Sequence, residues 1–297
     1  MNYKIIPALL LTAFLSSSLV GLQAQIPSTD IFVADIIVKD GKYTFSTPVN
    51  ITNRKGYDNQ PAFSPSGKIM YTSLRDTGGT DIYQYDPANG KDTRITKTPE
   101  SEYSPTLMPG GKSWSVVRVD KDSLQRLYEV SPDGNKIKLL IKNQDSIGYH
   151  CWISNNLLAV FVLGDTATLR MINVSTGETE TVASGIGRCI AKIPGTQQVS
   201  YVEKRSEKEW YIKAWYPDTK KEAYLVQTLE GCEDYVWTKD KKLLMGKDGK
   251  LYSCDPYTAQ PWKEIADFTA VTGTFYRLAI NEAGTKIAFV SYSGTKP

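Results

Sequence analysis

The chain has 297 residues, 41% of them hydrophobic and 23% charged, with 35 Lys and Arg against 32 Asp and Glu for a formal charge of +3. This is the make-up of a globular protein with a large core, and it excludes disordered, collagen-like and multi-span membrane classes. The two signs of charge are interspersed, which leaves no basic face for nucleic acid, and the single histidine, His150, excludes metal sites built on two or three imidazoles.

From the N-terminus, Lys4 is followed by an uncharged, largely apolar run over 5–22, and Leu22-Gln23-Ala24 supplies a small residue for signal-peptidase cleavage before Gln25. Residues 1–24 therefore read as a removed secretory signal and residues 25–297 as a single domain. No cysteine precedes Cys151, so the lipid-bearing cysteine of a lipoprotein signal is missing and no membrane anchor remains after cleavage. The expected location is periplasmic or secreted. Cys151, Cys189, Cys232 and Cys254 would then meet conditions in which disulfides persist, with three complete pairings open. No two of them form a C-x-x-C motif, which speaks against a redox or zinc role.

Residues 30–38 and 43–52 carry two strand patterns with no partner pair ahead of them. The next segment shows a whole unit: Gln60-Pro61-Ala62-Phe63-Ser64-Pro65-Ser66-Gly67-Lys68, then Ile69-Met70-Tyr71-Thr72-Ser73, Asp81-Ile82-Tyr83-Gln84-Tyr85-Asp86-Pro87, and Arg94-Ile95-Thr96. The slot of Ser64 recurs at Met108, Ser154, Ile193, Thr238 and Asn281, a period of about 43 residues. The third-strand end at Asp86 recurs at Asp35, Ser131, Asn173, Tyr216 and Asp255, with the fourth copy, around Ile193 and Tyr216, fitting worst. Short runs rich in Val, Ile, Tyr, Phe and Trp, punctuated by Pro, Gly, Asn and Asp, predict strands, and four strands in a unit of this length make a propeller blade. The chain closes on 276–280 and 286–291, an inner pair lacking outer strands, so the two ends complete one another. The expected fold is all-β: a six-bladed β-propeller of four-stranded antiparallel blades, its ring closed by N- and C-terminal strands that share one blade.

Phe63-Ser64-Pro65-Ser66-Gly67-Lys68, followed by Ser73-Leu74-Arg75-Asp76 and Asp81-Ile82-Tyr83, resembles the WD40-like repeat of TolB-family propellers. Met108-Pro109-Gly110-Gly111-Lys112 and Asn281-Glu282-Ala283-Gly284-Thr285-Lys286 keep it recognisable, and the other copies keep only the pattern. The resemblance is to the propeller domain alone. It implies an exported propeller that binds another protein across one mouth of its channel.

Chemical motifs are scarce. There is no G-x-S-x-G nucleophile elbow, and one histidine cannot supply the several that lyase-like propellers place around a metal. Gly110-Gly111-Lys112-Ser113 ends like a phosphate loop, but Thr106 stands where its first glycine is required and the segment matches the Ser66-Gly67-Lys68 turn. Trp152 and Trp237 read as blade packing, whereas Trp114, Trp210, Trp215 and Trp262 leave a sugar-binding role open.

The first residues of each innermost strand should ring one channel mouth. One ring holds Gln60, Ser104, His150, Cys189, Asp234 and Arg277; the next holds Asn59, Tyr103, Tyr149, Arg188, Glu233 and Tyr276, with Asp58 and Glu102 outside them. Tyr and Arg anchors among hydrogen-bonding neighbours are expected of a recognition surface. Cys151 and Cys189 begin adjacent inner strands and form a candidate disulfide. The expectation is a non-enzymatic, monomeric, protein-binding scaffold of the bacterial envelope. It has no catalytic residue, metal or cofactor, and its partner is an envelope protein or peptide. The alternative is a carbohydrate-binding or small-ligand, lyase-type site at the channel mouth, with His150 its only imidazole.

Overall fold

The computed structural model describes residues 27–76 and 78–293. The expected signal at residues 1–24 lies outside them. No helix among the described residues is long and apolar enough to cross a membrane.

The chain opens with β1 (Thr29–Lys39), β2 (Lys42–Phe45) and β3 (Val49–Asn50), followed by β4 (Tyr57–Phe63), β5 (Ile69–Asp76), β6 (Gly79–Asp86) and β7 (Lys91–Arg94). Three similar sets come next: β8 (Ser101–Leu107) to β11 (Ile137–Leu139) by way of β9 (Trp114–Val119) and β10 (Gln125–Val130); β12 (Ile147–Trp152), β13 (Leu157–Val162), β14 (Thr168–Asn173) and β15 (Thr179–Ser184); and β16 (Ile186–Lys192), β17 (Val199–Lys204), β18 (Trp210–Tyr216) and β19 (Lys221–Gln227). A last set, β20 (Tyr235–Trp237), β21 (Leu243–Lys247), β22 (Lys250–Cys254) and β23 (Lys263–Asp267), leads through the one-turn α1 (Thr269–Thr272) to β24 (Phe275–Ile280) and β25 (Lys286–Tyr292). The sets β8–β11, β12–β15, β16–β19 and β20–β23 are each a four-stranded antiparallel sheet.

The two chain ends do share a sheet. Antiparallel pairing of β1 with β25 runs from Thr29↔Tyr292 to Asp35↔Lys286, and β24 lies on the far side of β25. The repeat survives at side-chain level: the Lys68–Asp86 ion pair, 3.1 Å, has its counterpart in Lys286–Asp35. Two features depart from the expectation. Asp35 does not end its strand, because β1 continues to Lys39 and turns into β2. The terminal sheet is also continuous with β4–β7, because Thr29 pairs in parallel with Tyr57, giving nine strands where four were expected. The Thr29 N–H bonds Gly56 O at 2.9 Å and its hydroxyl bonds Asp58 O at 2.8 Å, which draws the start of β4 alongside β1.

Each sheet is buried on both faces, which explains why the second strands are nearly continuous apolar runs. Met70 and Ile82 pack on Trp114, Val116 and Tyr128; Val117 and Leu127 on Leu158 and Val160; Phe161 and Met171 on Val199 and Tyr201; Val202 and Ile212 on Trp237 and Leu243; and Leu244 and Leu251 on Phe275 and Phe289. Ile31, Ala288 and Val290 of the terminal sheet then meet Tyr71 and Tyr83 of β5 and β6. Each such buried side chain contributes about 1.5–3 kcal/mol.

Candidate functional site

The innermost strands are irregular in the same place. Pairing of β4, β8, β12, β16 and β24 with their second strands slips at Asn59/Ala62, Tyr103/Thr106, Ile147/Tyr149, Ile186/Ile190 and Phe275/Arg277. Bulges of this kind re-aim side chains. Gln60 and Ser104, each followed by a proline that has no N–H for the ladder, take φ of 56° and 53°. Gln60 Oε1 then accepts the Thr72 hydroxyl at 2.7 Å and the Ser104 N–H at 2.8 Å, tying β4 to β8.

Across the bulges a polar network spans several sheets. Asp234, just before β20, receives Arg188 Nη2 at 2.6 Å and faces Arg277 Nε at 3.6 Å. Arg277 continues to Asn59 Oδ1 at 2.7 Å and to the Tyr149 hydroxyl at 3.2 Å, and the Asn59 amide donates to the Tyr276 hydroxyl at 2.6 Å. Glu233 takes Arg188 Nη1 at 3.2 Å and Lys204 Nζ at 2.8 Å. Burial opposes the charge on Asp234, but Arg277 and Arg188 together hold its carboxyl below the usual carboxylate range. Burial likewise opposes the charge on Arg277, yet Asp234 keeps its pKa raised.

The network separates two cavities. Arg188 and Asp234 border both. The smaller, about 200 Å³, lies at the mouth where the inner strands begin, against Glu233, Tyr276 and Tyr292. The larger, about 620 Å³, runs along the inner strands past Gln60, Tyr149, Cys189 and Leu278 to the turns that follow those strands, at Pro194, Lys239 and Glu282. The larger of these two cavities therefore lies beyond the expected ring, toward the turns that follow the inner strands.

Of the expected ring, Asn59, Tyr149, Arg188, Glu233, Asp234, Tyr276 and Arg277 meet in the network, and Gln60 and Ser104 line the larger cavity. Asp58 and Glu102 are instead buried between sheets. Asp58 is held by Arg54 at 2.8 Å and by the Ser73 hydroxyl at 2.6 Å, and Glu102 accepts the Thr98 hydroxyl while its Oε2 has no partner. Tyr103 packs at the edge of the Val117–Leu158 core. Tyr57, which lies beside Arg277 and is pushed up in pKa by burial, and Lys204 are members the repeat reading missed. Tyr57 sits two residues ahead of Asn59 on the same strand, which was the available signal.

His150 sits in a different environment from its expected ring neighbours. The turn N–H that Ser64 gives to Lys68 O is given in the third copy by Ile153 to Leu157 O, so the expected Ser154 register is one residue late. Tyr149 therefore takes the slot of Gln60. The fourth copy, expected to be the least certain, keeps its register, with Ile193 bonding Gln198 O. His150 Nε2 lies 2.7 Å from Ser115 Oγ, which also accepts Trp152 Nε1 at 3.0 Å. The same arrangement recurs where Tyr235 Oη and Trp237 Nε1 both meet Ser200 Oγ at 2.8 Å. Burial lowers the His150 pKa to about 3, so the ring is neutral. The Ser115–His150 contact thus fastens one sheet to the next.

Cys151 and Cys189 are free thiols, not the expected disulfide. The Cys189 sulfur accepts the Tyr235 N–H at 3.4 Å and donates to Tyr235 O at 3.4 Å, which turns it toward β20 and away from Cys151. Burial pushes the Cys151 thiol up to about 11. Trp114, Trp152, Trp215 and Trp237 are buried in different sheets, while Trp210, bonded to Ser206 O, and Trp262, bonded to Gln227 O, pack against the Val202–Trp237 core. The Gly110-Gly111 segment is a turn, with Gly111 N bonded to Met108 O at 3.0 Å as Gly67 N is to Ser64 O. Among the described residues no three His, Cys, Asp or Glu side chains gather as a metal ligand set.

No protein-family model matches the sequence, and no curated protein does. Solved structures do. A TolB-like protein of Agrobacterium tumefaciens is 12% identical, with a TM-score of 0.67 over 91% of this chain and 100% of its own. TolB of Acinetobacter baumannii is 13% identical, with a TM-score of 0.57 over 89% of this chain and 64% of its own. An oligogalacturonate lyase in complex with manganese is 14% identical, with a TM-score of 0.55 over 85% of this chain and 84% of its own. At these identities the likeness is one of fold, and fold alone does not fix function. The chain has a TolB-like propeller fold.

Proposed function

We propose that the chain is a six-bladed propeller closed into a ring, exported from the cytoplasm, and that it acts as a non-enzymatic protein-binding scaffold in the bacterial cell envelope. Closure is supported by the succession of inner-strand contacts, β4 on β8, β8 on β12, β12 on β16, β16 on β20, β20 on β24 and β24 on β4. Export is supported by the apolar run over 5–22 ahead of Gln25.

The observation that carries the binding reading is the network of Arg188, Asp234, Arg277, Asn59, Tyr149 and Tyr276. It sets Arg and Tyr anchors, already held in place by one another, at the end of a channel. Pre-organised Arg and Tyr groups are the usual anchors of protein recognition. The non-enzymatic part rests on His150, whose Nε2 is engaged by Ser115 in a contact that the Tyr235–Ser200 pair repeats without any histidine. One observation favours a second reading, a small-ligand or lyase-type site: the larger cavity, about 620 Å³, is of the size that takes a small molecule.

The test is capture from solubilised envelopes by the immobilised protein, compared with an Arg188→Ala/Tyr276→Ala variant shown to remain folded by its circular dichroism, by quantitative mass spectrometry. A protein retained by the parent and lost by the variant is the expected result. If nothing is retained in a way that depends on these residues, the scaffold reading fails and the small-ligand reading takes its place.

A further inference from the structure

The two readings share a channel, and the lining of its larger cavity specifies what enters it. Four of the charged side chains on that lining are cationic, Arg188, Lys192, Lys239 and Arg277, against Asp234 and Glu282. Lys192 and Lys239 stand toward the turn end of the cavity and take part in no ion pair among the described residues. At the floor, Asp234 is shared by both guanidiniums, and Glu233 also holds Arg188 while pairing with Lys204, so Arg277 is the less neutralised of the two. A guanidinium carries five N–H donors; Arg277 uses three of its own, toward Asp234, Asn59 and Tyr149, and so keeps two. Between floor and rim the wall is apolar, with Leu278 and Trp237 among its residues.

A second feature on the same lining asks for a donor and so bears on the source of the ligand. His150, 7% exposed, lies on the wall of this cavity, and its Nδ1 is buried with no partner. Ser115 Oγ donates to Thr106 O at 3.2 Å and accepts Trp152 Nε1, which leaves a lone pair for His150 Nε2–H and makes Nδ1 the bare acceptor. A buried acceptor left in this state is costly; a carboxylate, which only accepts, does not relieve it, whereas a backbone N–H of a bound peptide does.

We propose that the cavity takes a carboxylate joined to an apolar body, the anionic head set against Arg277 and Arg188 and the body lying along Leu278 and Trp237, entering past Lys192 and Lys239. This inference rests on the channel being the binding site and adds the chemistry of its occupant. The carboxylate comes either from a free organic acid or from the end of a peptide, and the floor recognises both through the same charge-assisted hydrogen bonds. The rim lysines raise the local concentration of either.

The experiment is isothermal titration calorimetry on the intact protein with matched probes. The free-acid arm uses 3-phenylpropanoate, 3-phenylpropanamide and 3-phenylpropylamine. The peptide arm uses a five-residue peptide ending in phenylalanine, with a free and with an amidated C-terminus. The expected result is that a carboxylate binds at least about tenfold tighter than its amide, that Lys192→Glu/Lys239→Glu weakens it several-fold, and that added salt weakens it further. The arm with the tighter carboxylate names the source. Equal binding of acid and amide, tighter binding of the amine, or no binding of either carboxylate at millimolar concentration overturns the proposal. The rim variant keeps the Arg188–Tyr276 network, so its envelope capture separates the two ideas. Capture retained while the carboxylates fail sinks this inference alone, and carboxylate binding with no mouth-dependent capture sinks the scaffold alone.

Discussion

Glu102 offers the sharpest test of the packing between sheets, because the repeat places a second buried carboxyl, Asp58, at the same position, also raised by burial but with an arginine beside it. Asp58 and Glu102 stand at equivalent positions six residues ahead of Ser64 and Met108, and both are fully buried. Asp58 has Arg54 four residues before it, at 2.8 Å. Glu102 has Thr98 there, which offers a hydroxyl but no charge. Arg118 pairs opposite Glu102 on β9, but its guanidinium is engaged by Asp120 at 2.8 Å and lies over Tyr128, while Asp81 adds negative charge from β6. Burial pushes the Glu102 carboxyl up to about 7 from an ordinary 4.5. The folded state thus holds a proton that the unfolded chain has released between these values. Stability is full below 4.5, falls by about 1.4 kcal/mol per pH unit up to 7, and is flat above. The accumulated loss is about 3 kcal/mol. Glu102→Gln, which cannot ionise, should gain about 3 kcal/mol on the parent between about pH 4 and about pH 8 in urea unfolding, every other titration cancelling in the difference. A difference between the two proteins that stays constant to within about 0.5 kcal/mol across that range would show that Glu102 is solvated or paired, and the reasoning would be wrong.

His150→Tyr should fold with a cost within about 1 kcal/mol at neutral pH, because tyrosine fills the equivalent position at 235 and bonds Ser200 there. Since the native ring has a pKa lowered by burial to about 3, the unfolded state takes up the proton first, and the parent should lose stability as pH falls below about 6.5. The tyrosine variant should not show that component in acid unfolding curves. Asp234→Asn leaves the buried Arg277 guanidinium without a carboxylate, while Arg188 keeps Glu233, and should cost about 3–5 kcal/mol by urea denaturation; a cost below about 1 kcal/mol would mean the network is open to water. Phe289→Ala, in the terminal sheet against Phe268 and Phe275, should cost about 3–5 kcal/mol in the same assay. Intact mass of the exported protein should place its first residue at Gln25, and an uncleaved chain would refute the secretory reading.

The sheets were legible in the sequence because their cause is local. Each turn after an inner strand is fixed by one N–H bond, from Ser64, Met108, Ile193, Thr238 or Asn281, and these residues recur with the period. The sharing of a sheet by the two ends was legible for a related reason: residues 30–38 lacked an inner pair and 276–291 lacked an outer one. The third copy misled because its turn, Ser154-Asn155-Asn156, has no glycine to mark the register that Gly67, Gly111 and Gly284 mark elsewhere. A slip of one residue in a strand exchanges its two faces. It put His150 in the slot that Tyr149 holds: Tyr149 reaches Arg277, while His150 bonds Ser115 on the neighbouring sheet and still lines the larger cavity.

The site was less legible because its contacts have no local cause. Asn59 and Arg277 bond across 218 residues of sequence, and Arg188 and Asp234 across 46. Nothing in either strand by itself distinguishes an arginine bound for the channel from one bound for the surface. What selects them is the bulge, which drops a residue out of the pleat and frees its side chain to turn inward. The bulge is written in the sequence at Gln60-Pro61 and Ser104-Pro105, where a proline removes the ladder N–H, and at Gly148 and Gly187, glycines inside strand runs. At Phe275/Arg277 neither proline nor glycine marks it. The direction of the larger cavity follows from the bulges. The bulged residues bridge to one another and fill the channel near the end where the inner strands begin, so the open volume is left toward the turns, among lysines that the repeat had marked only as turn residues.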